Sequence, residues 1–125
     1  GLECISRGAK KVSFVEQDPN VINVLKENLN RLSIFEKVKI YNSKIENFLL
    51  KNIKEKFDIF FFDPPFADTI FLQNLEVIKM KKNFKKNHIV IIHREIKSEE
   101  TLENLLKIHE IKKYGRSKIF FGEFR

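Results

Sequence analysis

The chain has 125 residues, 42% of them hydrophobic, which suits a single domain spanning residues 1–125. No apolar run reaches the roughly 18 residues of a membrane-spanning helix, and the start has no signal-peptide pattern, so we expect a cytoplasmic protein with no membrane partner. We also expect a monomer. The lone cysteine excludes an internal disulfide. The three histidines lack metal-ligand spacing, so no metal site is expected.

The formal net charge of +7 comes from 24 basic and 17 acidic residues. Such an excess suits a polyanionic partner such as nucleic acid. A lysine-rich bias can also follow from genome base composition, because the chain is rich in Asn, Ile and Phe as well. The densest basic cluster can be a solvated connection or can contact phosphates, and its members are Lys79, Lys81, Lys82, Lys85 and Lys86.

The first half of the chain predicts strands alternating with helices. A β-rich run at Val12–Glu16 ends on an acid, and Asp18 with the proline after it supplies an N-cap and a first helical residue. Apolar residues then recur at helical spacing, which predicts a helix over residues 20–32. A second strand is predicted at residues 38–41 and a short helix at residues 45–51.

The second half continues this alternation and ends on a hairpin. Strands are predicted at residues 59–62, 89–92, 110–114 and 117–124, and helices at residues 70–79 and 101–109. Residues 59–62 are all apolar, as in a strand covered by helices on both faces, so this strand should be central. The last two strands are joined by a turn so short that they must be antiparallel. The whole pattern predicts an α/β fold, a doubly wound Rossmann-like sheet with a C-terminal antiparallel hairpin.

Asp63, Pro64, Pro65 and Phe66 follow the strand at residues 59–62 directly. Each proline fixes its own φ at about −65° and keeps the preceding residue out of the helical region, so the backbone leaves the strand as a stiff hook. We expect the carbonyl oxygens of this hook to lack nearby donors. Asp63 and the Pro64 carbonyl can then accept the two hydrogens of an exocyclic amine while Phe66 stacks on the ring. The alternative is a rigid turn with Asp63 as a local cap.

Glu16 is a second candidate, because it ends the first predicted strand. In doubly wound sheets a ligand lies beyond the carboxyl ends of the strands, where an acid can bind a ribose hydroxyl pair. The alternative is a surface acid beside a helix start, where negative charge is favourable. Asp18 is assigned chiefly as a helix cap.

Four stretches of the sequence resemble the RsmD family. They are residues 1–9 (GLECISRGA), 14–18 (FVEQD), 28–29 (NL) and 57–66 (FDIFFFDPPF). The resemblance implies a class I S-adenosylmethionine (SAM) methyltransferase that modifies the exocyclic N2 of a guanine in 16S ribosomal RNA, free or in a small ribosomal subunit assembly. The last four residues alone indicate only an amino methyltransferase, because DNA adenine and protein glutamine enzymes carry close variants. A non-catalytic RNA-binding module is a further alternative.

The resemblance also implies roles for individual residues. The implied catalytic residues are Asp63, Pro64, Pro65 and Phe66, and the implied cofactor-binding residues are Glu16, Gln17, Ser43, Lys44, Ile45 and Asp63. Glu16 would hold the cofactor ribose, and residues 42–45 would lie along the adenine. Lys44 stands where family members have Asp or Asn, so the contact to the adenine amine must come from Ser43 or a backbone group.

The start of the chain departs from the family pattern. Family members carry a strand and a glycine-rich loop just before the residues that match Gly1, and that loop wraps the methionine part of SAM. We therefore expect an amino-terminally truncated fragment that lacks the first strand and glycine loop of the sheet. Buried unpaired backbone groups cost about 1–3 kcal/mol each, against about 5–15 kcal/mol of total stability for a domain. The fragment alone should therefore be marginally stable and inactive.

Overall fold

The computed structural model describes residues 2–33, 35–51, 53–65 and 67–125. The chain divides into two compact units, Gly1–Lys51 and Asn52–Arg125. Across the described residues, no helix combines the length and the apolar character needed to cross a membrane.

The first unit is built around a pair of parallel strands. Its elements are α1 (Leu2–Ser6), β1 (Val12–Glu16), α2 (Pro19–Leu32), a 3-10 helix (Phe35–Lys37), β2 (Val38–Asn42) and α3 (Ile45–Leu49). β1 and β2 pair in parallel from Val12 opposite Val38 to Glu16 opposite Asn42. The carboxyl ends of both strands therefore lie at one edge of the pair.

Helix α2 begins where the sequence predicts. The Asp18 side chain accepts a hydrogen bond of 2.9 Å from the Asn20 N–H, and Pro19 is the first helical residue. The helix buries Ile22 and Leu29 and ends at Ser33, which adopts the left-handed conformation with φ of 54°. The cap satisfies one of the N–H groups that a helix start leaves without an internal partner. The predicted helix, strands and cap of this unit are thus confirmed, with α3 slightly shorter than expected.

The second unit contains a mixed four-stranded sheet. Its elements are β3 (Phe57–Phe62), α4 (Phe71–Lys81), β4 (Phe84–Glu95), β5 (Leu106–Tyr114) and β6 (Ser117–Phe124). The strand order is β3-β4-β6-β5; β3 and β4 are parallel, whereas β6 is antiparallel to both of its neighbours. The predicted C-terminal hairpin is therefore confirmed.

Aromatic side chains fill one end of this sheet around a buried histidine. His88 Nδ1 lies 2.7 Å from the Lys85 carbonyl, and its Nε2 accepts a 2.9 Å hydrogen bond from the Phe124 N–H. Because one ring nitrogen faces an acceptor and the other faces a donor, the contacts select the neutral tautomer with the proton on Nδ1. The rings of Phe84 and Phe124 stack beside it, with centroids 5.0 Å apart. His88 is therefore a structural residue of the core.

Two predictions about the second unit were wrong. β3 is not central: in the part of the chain that the structure describes it pairs only with β4, and its Ile59 and Phe61 are exposed. The helix predicted at residues 101–109 is a turn followed by β5. Its leucines have helical spacing, but Leu106 is buried and paired with Phe124 of β6. Non-local strand pairing therefore overrides the local helical pattern.

Candidate functional site

The predicted hook begins where β3 ends, beside the neighbouring strand β4. Phe62 is the last residue of β3 and pairs with Ile92, so Asp63 and His93 are the next residues at the same sheet edge. His93 Nδ1 lies 2.8 Å from Asp63 Oδ1. The Asp63 side chain remains 59% exposed, so the contact orients the carboxylate without burying it.

Arg94, the next residue of β4, contacts the same hook from the buried face. Its side chain is only 2% exposed, and its Nη1 donates to the Pro65 carbonyl at 3.1 Å and to the Pro64 carbonyl at 3.4 Å. Its Nε donates to Glu100 Oε1, and the guanidinium lies over the Phe71 ring, 4.5 Å from the centroid. A buried cation therefore holds the two proline carbonyls in place.

The expectation that the hook carbonyls lack nearby donors was wrong. Besides the Arg94 contacts, the Pro65 carbonyl accepts a 2.9 Å hydrogen bond from the Asp68 N–H. A carbonyl oxygen has two lone pairs, so the Pro64 carbonyl, with its one long contact to Arg94, can still accept a further hydrogen bond. Arg94 comes 30 residues after Pro64 in the chain, and only the strand pairing brings them together. Phe66 lies outside the described residues.

Glu100 neutralises the charge of Arg94. Burial would raise the pKa of the Glu100 carboxyl, but hydrogen bonds from its own backbone and from Arg94, together with the Arg94 charge, outweigh burial and lower the pKa below its usual value. The carboxyl therefore remains ionised, although its side chain is only 9% exposed. A buried charge of this kind is tolerated because it is paired and hydrogen-bonded.

The first unit brings Glu16 and Ser43 together. The Ser43 N–H donates to the Glu16 carbonyl at 3.1 Å, at the edge where β1 and β2 end. Glu16 Oε1 accepts a 3.1 Å hydrogen bond from the Asp18 N–H. Ser43 Oγ is buried and has no hydrogen-bond partner among the described residues. Buried hydroxyls normally have a partner, so this oxygen is suited to a bound ligand.

These residues fit a nucleoside group. A carboxylate offers about four lone-pair positions, so Glu16 can accept hydroxyl hydrogens in addition to the Asp18 N–H. Of the other predicted cofactor contacts, Gln17 and Lys44 are exposed, and Ile45 is half-buried as the first residue of α3. The acid and the hydroxyl therefore suit a ligand with a hydroxyl pair and a polar edge.

The sequence matches one known protein family. The family model described as "Conserved hypothetical protein 95" matches residues 1–123. The chain belongs to this family, the RsmD family. It is 34% identical over 97 residues to the ribosomal RNA small subunit methyltransferase D of Haemophilus influenzae, and 31% identical over 97 residues to the protein of that name from Buchnera aphidicola. These alignments cover 76% and 78% of the chain and 50% of each relative, so the chain spans about half the length of the curated relatives it matches.

Solved structures show the same fold. A candidate methylase from Haemophilus influenzae has a TM-score of 0.86 and 27% identity, covering 99% of the RsmD-family chain and 78% of its own. A ribosomal protein L11 methylase from Lactobacillus delbrueckii has a TM-score of 0.74 and 19% identity, covering 97% and 61% respectively. The predicted Rossmann-like methyltransferase fold is confirmed.

The prediction from sequence missed His93 and Arg94, which contact the hook, and Glu100, which pairs with Arg94. A signal for His93 is present. The apolar runs at residues 59–62 and 89–92 have equal length and pair residue by residue in parallel. Polar residues that directly follow two such runs meet at one sheet edge, so Asp63 and His93 could have been matched from the sequence.

Two further predictions concern the surface of the RsmD-family chain. Within the lysine cluster, Lys85 forms an ion pair of 3.2 Å with Asp58, and Lys79 Nζ donates to the Asn104 carbonyl at 3.2 Å. These two lysines therefore have partners inside the protein, and a phosphate-binding role for the cluster stays a prediction.

Among the residues that the structure describes, no group of three or more His, Cys, Asp or Glu side chains could hold a metal ion.

Proposed function

We propose that this chain belongs to a SAM-dependent methyltransferase that modifies the exocyclic N2 amine of a guanine in 16S ribosomal RNA. The observation that carries the proposal is the hook after β3, where the exposed Asp63 carboxylate stands beside a Pro64 carbonyl that can accept a hydrogen bond. Relatives named ribosomal RNA small subunit methyltransferase D support the choice of substrate. The proposal implies a cytoplasmic monomer that acts on 16S ribosomal RNA or on a small-subunit assembly.

The hook is suited to orienting an amine. Asp63 and the Pro64 carbonyl each accept one of the two amine hydrogens, which favours tetrahedral character at the nitrogen. A conjugated amine is a weak nucleophile, so fixing its direction of attack is a large part of what an enzyme can contribute. His93 holds one oxygen of the Asp63 carboxylate and Arg94 holds the backbone that follows it, so both acceptors are fixed before the substrate binds.

The first unit supplies groups for the cofactor. SAM, when bound, provides an electrophilic methyl group. Glu16 accepts hydrogen bonds from the ribose hydroxyls, with Gln17 next to it in the chain. Ser43 Oγ replaces the acceptor that Lys44 cannot provide for the adenine amine, and Ile45 contributes apolar surface.

Proton release completes the reaction. The amine nitrogen would gain a carbon–nitrogen bond to the methyl group and lose one hydrogen as a proton, while the bond between that methyl group and the sulfonium of SAM would break and leave its electron pair on sulfur as a neutral thioether. Asp63 or water accepts this proton, and no covalent enzyme intermediate is required. The chain spans about half the length of the curated relatives it matches, so the assays use the complete gene product that contains it.

A methyl-transfer assay tests the proposal. Radioactive SAM is offered with 16S ribosomal RNA, with adenine-containing DNA and with a glutamine-containing protein, and label is expected in guanine of the RNA only. Asp63→Ala should reduce kcat by about two or more orders of magnitude, as expected for a group that orients the reacting atom, with SAM affinity nearly unchanged. Equal loss of kcat and SAM affinity would show that Asp63 is structural. Label in DNA or protein would identify one of the rival methyltransferase classes.

A further inference from the structure

We infer that the end of the β5–β6 hairpin binds the phosphate backbone of the RNA strand that carries the target guanine. This inference rests on the proposed function and extends it to a surface outside the hook. The hairpin tip, residues 112–118, has four basic residues and no acidic residue. Its basic residues are Lys112, Lys113, Arg116 and Lys118.

The sheet topology places the hairpin tip at the same edge as the hook. β6 runs antiparallel to β4, with Ile119 opposite His93 and Ser117 opposite Glu95. Because β3 and β4 are parallel, the tip begins just beyond their carboxyl ends, where Asp63 lies. Two strand spacings separate β3 from β6, which is about 10 Å across the sheet. A strand of RNA that presents a base to Asp63 therefore passes close to the tip.

The side chains of the tip differ in how freely they can meet a ligand. Lys112, Lys113 and Arg116 are exposed, and Tyr114 is 57% exposed. The Lys112 ammonium lies 5.7 Å from the centroid of the Phe121 ring but is still open to solvent. Lys118 is half-buried, because its Nζ donates to the Ser98 carbonyl at 2.6 Å and lies 5.4 Å from the centroid of the Phe120 ring. The three exposed cations and the tyrosine are therefore the ligand-binding candidates.

The chemistry of these side chains suits a single-stranded nucleic acid, which the proposed function identifies as RNA. Lysine ammonium groups contact phosphates as point charges, and an arginine guanidinium can grip a phosphate with two hydrogen bonds. An exposed tyrosine ring offers a stacking surface for an unpaired base. Lysines on an edge strand also protect a sheet from edge-to-edge pairing, and β5 is such an edge. Edge protection needs neither Arg116, which lies in the turn, nor the aromatic ring of Tyr114 at the end of β5.

The test compares two triple variants that lose the same charge. The tip variant carries Lys112→Gln, Lys113→Gln and Arg116→Gln. The control carries Lys26→Gln, Lys37→Gln and Lys54→Gln, which are exposed lysines outside both the tip and the lysine cluster. Filter binding measures the Kd for purified 16S ribosomal RNA over a range of NaCl concentrations, and thermal melting checks that both variants are folded.

The tip variant should bind the RNA on the order of tenfold more weakly or worse at physiological salt. The slope of log Kd against log salt should fall by about 2, at about 0.7 for each lost contact to a single strand. kcat at saturating RNA should stay within about twofold of wild type, because the contacts between the tip and the RNA stabilise the bound ground state and the transition state equally. The control should keep the wild-type slope. If the triple variant melts early, Arg116→Gln alone should lower the slope by about 0.7.

Equal weakening of the tip variant and the control would overturn the inference, because it would show attraction by net charge alone. An unchanged slope in the tip variant or in Arg116→Gln would overturn it too. Failure of the proposed function gives a different result. If 16S ribosomal RNA is methylated while the tip variants bind it like wild type, only the tip inference fails. If binding depends on the tip but no methylation occurs, the proposed reaction fails and the tip remains an RNA contact.

Discussion

Replacing Arg94 by methionine removes a nearly fully buried charge while keeping much of the apolar length of the side chain. Glu100, only 9% exposed, is then left ionised without its partner. Breaking a buried ion pair by removing one partner costs about 3–5 kcal/mol. A domain has a total stability of only about 5–15 kcal/mol, so Arg94→Met should lower the free energy of unfolding by a large fraction.

The loss of stability should depend on pH. The folded-state pKa of Glu100 is lowered, so its contribution to stability is present above the unfolded-state pKa and is lost as the pH falls through the folded-state pKa. Arg94→Met removes the hydrogen bond and the positive charge that help to lower the pKa of Glu100, whereas burial still raises it. Glu100 in the variant therefore takes up a proton more readily. The difference from wild type should therefore be largest near neutral pH and should shrink on acidification.

Urea unfolding followed by circular dichroism at about pH 7 and about pH 5 measures this difference. A destabilisation below about 1 kcal/mol near neutral pH, or one equal at both values, would refute the reasoning. The double variant Arg94→Met, Glu100→Leu provides the control, because replacing a buried ion pair by apolar residues is often neutral or stabilising. It should regain most of the stability but leave the hook carbonyls without their arginine, so methyl transfer should stay impaired.

Two further predictions concern the ligand-binding residues. His93→Ala removes the group that fixes Asp63 Oδ1 and should lower kcat about tenfold, the effect of one ordinary hydrogen bond, while the Kd for SAM and the melting temperature stay near wild type. His93→Asn, which can restore a donor, should recover part of the rate, and equal rates for the two variants would contradict an orienting role. Glu16→Gln should raise the Kd for SAM in calorimetry about tenfold or more, because a charge-assisted hydrogen bond to the ribose is weakened. An unchanged Kd would show that Glu16 is only a surface acid.

Local signals predicted much of this fold correctly. Helix α2 was predictable because its cap, its first-turn proline and its apolar spacing all lie within one continuous segment. The turn at residues 101–105 was not, because its leucines fit a helix equally well and only pairing with β6 decides between the two. Prediction works where the deciding contacts are close in sequence and fails where a distant strand decides.

The same contrast between local and distant contacts applies to the candidate site. Asp63 and the prolines could be selected as candidates because the hook is encoded in consecutive residues, and their catalytic role stays a prediction. Glu16 was placed by the general rule for doubly wound sheets. Arg94 was missed because a charged residue next to an apolar strand suggests the surface, whereas here it is buried against Glu100 and the proline carbonyls. The instability and inactivity expected of the isolated 125 residues stay predictions.

Consecutive residues of β4 serve the two faces of one hook, with His93 at the carboxylate and Arg94 at the carbonyls. A strand that slipped by one residue would exchange these faces, because neighbouring side chains point to opposite sides of a sheet. The imidazole would then face the buried Glu100, and the apolar side chains of β4 would turn outward. Misregistered pairing would thus damage the core and the hook together, so molecules that complete folding should carry a correctly assembled hook.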